Sequence, residues 1–119
     1  NANLESTVAA LYYLNAFSGN GKKIFIFGDM LELGDLSEEQ HIAVGEKCDE
    51  QDLSAVLTYG NQSLSTFKTI KKIEINDHFN SKSELIEFVN GIVSPNDKVL
   101  IKGSRGMKME TIVESLLKK

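Results

Sequence analysis

The sequence predicts a three-layer α/β sandwich, a mostly parallel sheet with helices on both faces. Three observations predict it. Short apolar runs at 23–27, 54–58, 72–75 and 98–102 alternate with stretches of helical spacing. The first run, Ile24-Phe25-Ile26-Phe27, is apolar at every position, as a strand covered on both sides requires. Polar residues then gather at the ends of the runs, at 28–29, 58–60, 76–78 and 102–105, where parallel sheets hold ligands.

Each element has a local reason. Residues 4–17 are rich in Ala, Leu and Tyr without Gly or Pro, and Ser18-Gly19-Asn20-Gly21 stops the predicted helix. Ser37 with Gln40 forms a capping-box pattern, with Glu38 and Glu39 suited to a helix N-terminus. That helix should run to about Glu50, with Ile42, Val44 and Cys48 inward. Residues 62–69 read as a weak helix anchored by Leu64 and Phe67, and 72–75 as a thin strand near an edge. Ser81 and Glu84 form a second capping box, followed by Leu85, Phe88, Val89 and Ile92 on one helical stripe. Pro95 and Asn96 end it. A last helix is expected from Met107, with Met109, Ile112, Val113, Leu116 and Leu117 inward and Lys118 and Lys119 at its C-terminus.

The 119 residues fit one domain, 41% hydrophobic and 25% charged. A net charge of -4 argues against nucleic acid or an anionic membrane as the main partner. A single cysteine, Cys48, excludes an internal disulfide framework. No run approaches the ~20 apolar residues of a membrane span. The start at Asn1 without methionine suggests a piece of something longer.

Residues 97–110, DKVLIKGSRGMKME, place Lys102, Ser104 and Arg105 on a glycine-flanked turn between a strand and a helix. Helix-start amides favour anions there, although a solvated turn has the same pattern. The loop 28–34 carries Asp29 and Glu32, suited to magnesium, to an ammonium group, or simply to capping the next helix. His41 reads as a hydrogen-bonding surface residue, His78 as loop-borne without a partner, and Cys48 as a core residue. The chain has no phosphate loop, dinucleotide fingerprint, zinc spacing or serine-hydrolase elbow. It is built to hold a polar ligand, not to activate a nucleotide alone.

NAN at 1–3, IFGDMLELG at 26–34, SEEQHIAVG at 37–45 and VLIKGSRGMKME at 99–110 occur in that order. Together they resemble the C-terminal domain of the Mur ligases, in the branch that adds D-Ala-D-Ala. Leu4 stands where that family has proline after N-A-N, which should alter the helix entry more than the chemistry.

The resemblance implies a Rossmann-like third domain, residues 1–119, of a cytoplasmic and monomeric three-domain enzyme in peptidoglycan synthesis. ATP, Mg2+ and UDP-MurNAc-tripeptide would be held mainly by two domains absent here, so this piece alone would be inactive. The resemblance matches Asn1 and Asn3 to the segment bordering ATP, and Lys102, Ser104 and Arg105 to the turn meeting the incoming substrate. Arg105 is the expected grip on the D-Ala-D-Ala carboxylate, since a planar guanidinium fork suits a carboxylate. Asp29 or Glu32 is expected to orient the ammonium end or to support the loop. Two rivals remain: a receiver-like phosphoacceptor domain using Asp29, Thr58 and Lys102, and a stand-alone small-molecule binding domain.

Overall fold

A computed structural model describes residues 2–117. Four parallel strands, β1 (Lys23–Gly28), β2 (Ala55–Tyr59), β3 (Ile75–Phe79) and β4 (Lys98–Lys102), form one sheet in the order β3-β2-β1-β4. Helices α1 (Leu4–Asn15), α2 (Ser37–Asp49), α3 (Leu64–Thr69), α4 (Lys82–Ile92) and α5 (Glu110–Leu117) alternate with the strands. The predicted α/β class and parallel sheet are as found.

Strand alternation divides the core in two. Phe25, Phe27, Val56 and half-buried Leu100 pack with Leu11, Leu14, Val44 and Cys48 of α1 and α2. Ile24, Ile26, Ala55 and Leu57 pack with Leu85 and Val89 of α4 and Ile112 of α5. β1 is thus apolar throughout because both its faces are covered. Stacked Phe25 and Phe27, with ring centroids 5.6 Å apart, fill the first layer. Fully burying such a side chain contributes about 1.5–3 kcal/mol.

Cys48 is fully buried in that layer. Burial, with a smaller contribution from Asp49, pushes its thiol up to about 12. At pH 8 roughly one thiol in ten thousand is then ionised. A thiol reagent at that pH is expected to label Cys48 only as fast as the domain unfolds; rapid labelling without denaturant would contradict this packing.

At the far pole from the strand ends, Asp97 fastens β4 to β1. Its Oδ1 accepts from the Lys22 amide at 2.7 Å, its Oδ2 accepts from the Ser94 amide at 2.8 Å, and the Lys22 ammonium lies 3.2 Å away.

Several expectations shift. β3 runs three residues later than expected, over polar Asn76, Asp77 and His78, because an edge strand needs little apolar content. A 3-10 turn, Gly34–Leu36, leads directly into α2, so Ser37 is the first helical residue and not its cap. Its hydroxyl donates to Gln62 Oε1 at 2.7 Å. Ile42 is half-buried, and α3 buries Ser63 and Thr66 more deeply than Leu64 or Phe67. The last helix begins at Glu110, after a 3-10 turn, Arg105–Met107, and left-handed Lys108. Val113 and Leu117 are exposed. Lys118 and Lys119 lie outside the described residues.

Candidate functional site

β1 is flanked by β2 on one side and β4 on the other, so the chain's progression reverses between β1 and β4. That reversal is the switch point, and the crevice beyond the strand ends there is the usual ligand position of open parallel sheets. Its two walls are the loop 28–34 after β1 and the turn 102–106 after β4.

Two glycines let the walls approach. A Cβ on Gly28 would lie 2.6 Å from Met109 Sδ, and one on Gly103 would lie 2.8 Å from Met109 Cγ and 3.2 Å from Gly28 Cα. Buried Met109 therefore seats α5 across both strand ends. Beside it lies a cleft of about 360 Å³ lined by Lys102, Gly103, Ser104, Arg105, Met109 and Glu110, among others.

Ser104 joins the walls. Its amide donates to the Asp29 carbonyl at 3.0 Å, and its hydroxyl accepts from the Leu31 amide at 2.7 Å. The hydroxyl also reaches the Ala2 carbonyl at 3.5 Å, and the residue is 1% exposed. Ser104 was expected to face a ligand; its hydroxyl is instead turned inward. Arg105, next along, is exposed at the start of the 3-10 turn. Half-buried Lys102 shares the register row of Phe27, with Thr58 and His78 further along it.

Of the alternatives open to Asp29, the structure shows it supporting the loops. It is 4% exposed, and both carboxylate oxygens are engaged: Oδ1 accepts from the Ser63 amide and hydroxyl, each at 2.7 Å, and Oδ2 from the Gln62 amide at 3.0 Å. A carboxylate so held ties β1 to the start of α3 and leaves little for magnesium or an ammonium group. Among the described residues no three His, Cys, Asp or Glu converge as a metal site. Glu32 is exposed and held at φ 64°, a left-handed conformation that non-glycine residues rarely adopt.

Asn3 caps α1: its Oδ1 accepts from the Ser6 amide at 2.8 Å, and the Ser6 hydroxyl accepts from the Asn3 amide at 3.1 Å. With Leu4 at the first helical position, this reciprocal cap supplies the entry that proline would otherwise preorganise. Asn1 lies outside the described residues.

His41 corrects the surface reading. It is fully buried, its Nε2 accepting from the Met30 amide at 3.0 Å. The proton therefore sits on Nδ1, which donates to the Ser37 carbonyl at 2.7 Å. The signal was its spacing: His41, Val44 and Cys48 share one face of α2. His78 lies on β3, its Nδ1 2.7 Å from Thr58 Oγ1 and its ring against Phe67.

Burial pulls the His78 imidazole below its ordinary 6.5, partly countered by Asp29, Asn80 and Asp77. A depressed folded value means that the unfolded chain takes up the proton first. Stability is therefore expected to be complete above about pH 7 and to fall as the pH drops below 6.5. Urea midpoints at pH 7 and pH 5 should differ less in His78→Gln than in the parent; equal differences would remove His78 as the cause.

The receiver reading does not survive this geometry, because its acceptor, Asp29, is buried with three donors and Thr58 is occupied by His78. The family described as "Mur ligase, glutamate ligase domain" matches residues 1–105. The chain belongs to the Mur ligase family. It is 36% identical, over 98% of its length, to UDP-N-acetylmuramoyl-tripeptide–D-alanyl-D-alanine ligase of Bacillus subtilis, of which it covers 26%. The Escherichia coli ligase of the same name is 34% identical over 98% of the chain, which covers 25% of it. The chain thus spans about a quarter of these Mur ligases.

Among solved structures, MurF from Acinetobacter baumannii superposes with a TM-score of 0.86 at 30% identity, over the whole of this chain and 26% of that one. MurF from Thermotoga maritima, in complex with ADP, gives 0.83 at 28% identity, over 99% of this chain and 26% of that one. These are Rossmann-like domains, as the resemblance implied.

Proposed function

We propose that this domain is the third of three in an ATP-dependent ligase that joins D-Ala-D-Ala to UDP-MurNAc-tripeptide, and that the turn 102–106 holds the dipeptide. What carries the reading is the position of Arg105, exposed on one wall of the switch-point crevice in a chain whose relatives bear that activity's name.

In the reaction a tripeptide carboxylate oxygen attacks the γ-phosphorus of ATP, and ADP leaves. The dipeptide amine then attacks the acyl phosphate carbon, phosphate departs, and the amine sheds a proton. This chain's task is to present the amine. Arg105 fixes the dipeptide carboxylate through a charge-assisted, bidentate contact, with Lys102 adding positive potential. Glu32, not Asp29, faces the ammonium end, because Asp29 is engaged with Gln62 and Ser63. Asn1 and Asn3 border the nucleotide as the domain closes. Mg2+ would be held by residues outside this chain, since Asp29 is spent. The enzyme would act in the cytoplasm as a monomer; no helix among the described residues is long and apolar enough to cross a membrane.

The test uses the full-length gene product with ATP and UDP-MurNAc-tripeptide. Sustained ADP release is expected with D-Ala-D-Ala and not with L-Ala-L-Ala. Release that ignores the dipeptide would overturn the reading.

A further inference from the structure

Leu31 bridges the two walls of the crevice. A Cβ on Gly106 would lie 2.8 Å from Leu31 Cδ1, so this side chain reaches from the β1 loop onto the turn that carries Arg105. The backbone behind it is held on several sides. The Leu31 amide donates to the Ser104 hydroxyl at 2.7 Å, the Met30 amide to His41 Nε2 at 3.0 Å, and the Ser104 amide to the Asp29 carbonyl at 3.0 Å. Met30 is itself buried, with Thr7 Oγ1 3.6 Å from its sulfur. Leu31 is nonetheless only half-buried, and exposed Glu32 follows it at φ 64°, which turns the backbone at once. An apolar side chain is thus fixed in place with part of its surface left open.

Its neighbours give that surface a meaning. Glu32 follows Leu31 in sequence, and Arg105 precedes the glycine that Leu31 touches. A dipeptide spans at most about 7 Å. One stretched from the Arg105 guanidinium to the Glu32 carboxylate crosses Leu31, and the two methyl groups of D-Ala-D-Ala lie between its charged ends.

We infer that Leu31 is a specificity residue of the dipeptide site: its side chain is the apolar surface on which the methyl groups of D-Ala-D-Ala rest. The inference deepens the proposed function and rests on it. Arg105 and Glu32 meet charged ends that every zwitterionic dipeptide shares, so they do not distinguish one dipeptide from another. Leu31 does. A methyl group gains by leaving water against it, whereas a hydroxyl or charge there loses water without finding a partner.

The test compares KM for D-Ala-D-Ala and for glycylglycine in the full-length ligase, with ATP and UDP-MurNAc-tripeptide present. The parent is expected to prefer D-Ala-D-Ala by about fourfold to fifteenfold, the value of one or two buried methyl groups. In Leu31→Ala that preference should fall towards one, with KM for ATP unmoved. Leu31→Met, which keeps an apolar side chain of similar size, should retain most of it. Leu31→Gln, of similar length but polar at its end, should lose it. Arg105→Ala should raise KM for both dipeptides alike and preserve the preference, because both carry the carboxylate. Should alanine at 31 fail to fold, the methionine and glutamine variants carry the comparison.

A preference in Leu31→Ala or Leu31→Gln equal to the parent's would overturn the contact and leave the proposed function standing. So would a KM for ATP that rises in step with that for the dipeptide, the mark of a distorted domain. ADP release indifferent to either dipeptide would take down the proposed function, and the inference with it.

Discussion

Replacing Arg105 with alanine in the full-length enzyme is expected to raise KM for D-Ala-D-Ala by about 10–150-fold, with KM for ATP moving far less. The magnitude is that of one charge-assisted hydrogen-bond contact, roughly 1.5–3 kcal/mol. Arg105 is exposed on the 3-10 turn, outside both core layers, so truncation leaves Met109 and Ser104 in place. Thermal stability should therefore change little, which separates a binding loss from a folding loss. Lysine at 105 keeps the charge but loses the planar fork, and should recover only part of the affinity. Steady-state kinetics with each substrate varied in turn reads the effect. Parallel rises in both constants, or none in either, would refute the assignment.

The second large effect is on folding. Gly60 follows β2 at φ 112°, which L side chains rarely adopt, and a Cβ there would lie 2.6 Å from Asp29 Cγ and Oδ2. Asp29 cannot simply withdraw, because its oxygens hold the Gln62 amide and the Ser63 amide and hydroxyl. Gly60→Ala therefore combines backbone strain of about 1–3 kcal/mol with weakened bonds to a buried carboxylate. A loss of about 3–5 kcal/mol is expected from urea denaturation, a large share of the roughly 5–15 kcal/mol that holds a domain folded. A loss under about 1 kcal/mol would show that the β2 end is not fixed by this contact.

The sequence was most legible where physics is local or periodic. Apolar runs located β1 and β4 closely, and the Ser81 cap opens α4 as expected, its hydroxyl accepting from the Glu84 amide at 3.3 Å. Alternation of strands and helices was enough for a parallel sheet. Strand order was not, yet the order makes the β1–β4 crevice a switch point and lifts the turn 102–106 above an ordinary strand-to-helix connection.

Side-chain direction was the least legible feature. Asp29, Ser104 and His41 looked like ligand-facing or surface groups by residue type. Each is buried and accepts a hydrogen bond from a backbone amide of another segment. A polar residue beside a strand end is equally suited to holding loops together, and a linear pattern cannot say which loop will lie opposite. Arg105 escapes this ambiguity because its long cationic side chain is costly to bury.

The most direct test of the central claim pairs a change in the ligand with a change in the protein. KM is measured for D-Ala-D-Ala and for its C-terminal amide, in the parent enzyme and in Arg105→Ala. If Arg105 grips the carboxylate, the parent should discriminate against the amide by about 10–150-fold and the variant hardly at all. Equal discrimination in both enzymes would show that the carboxylate is held elsewhere.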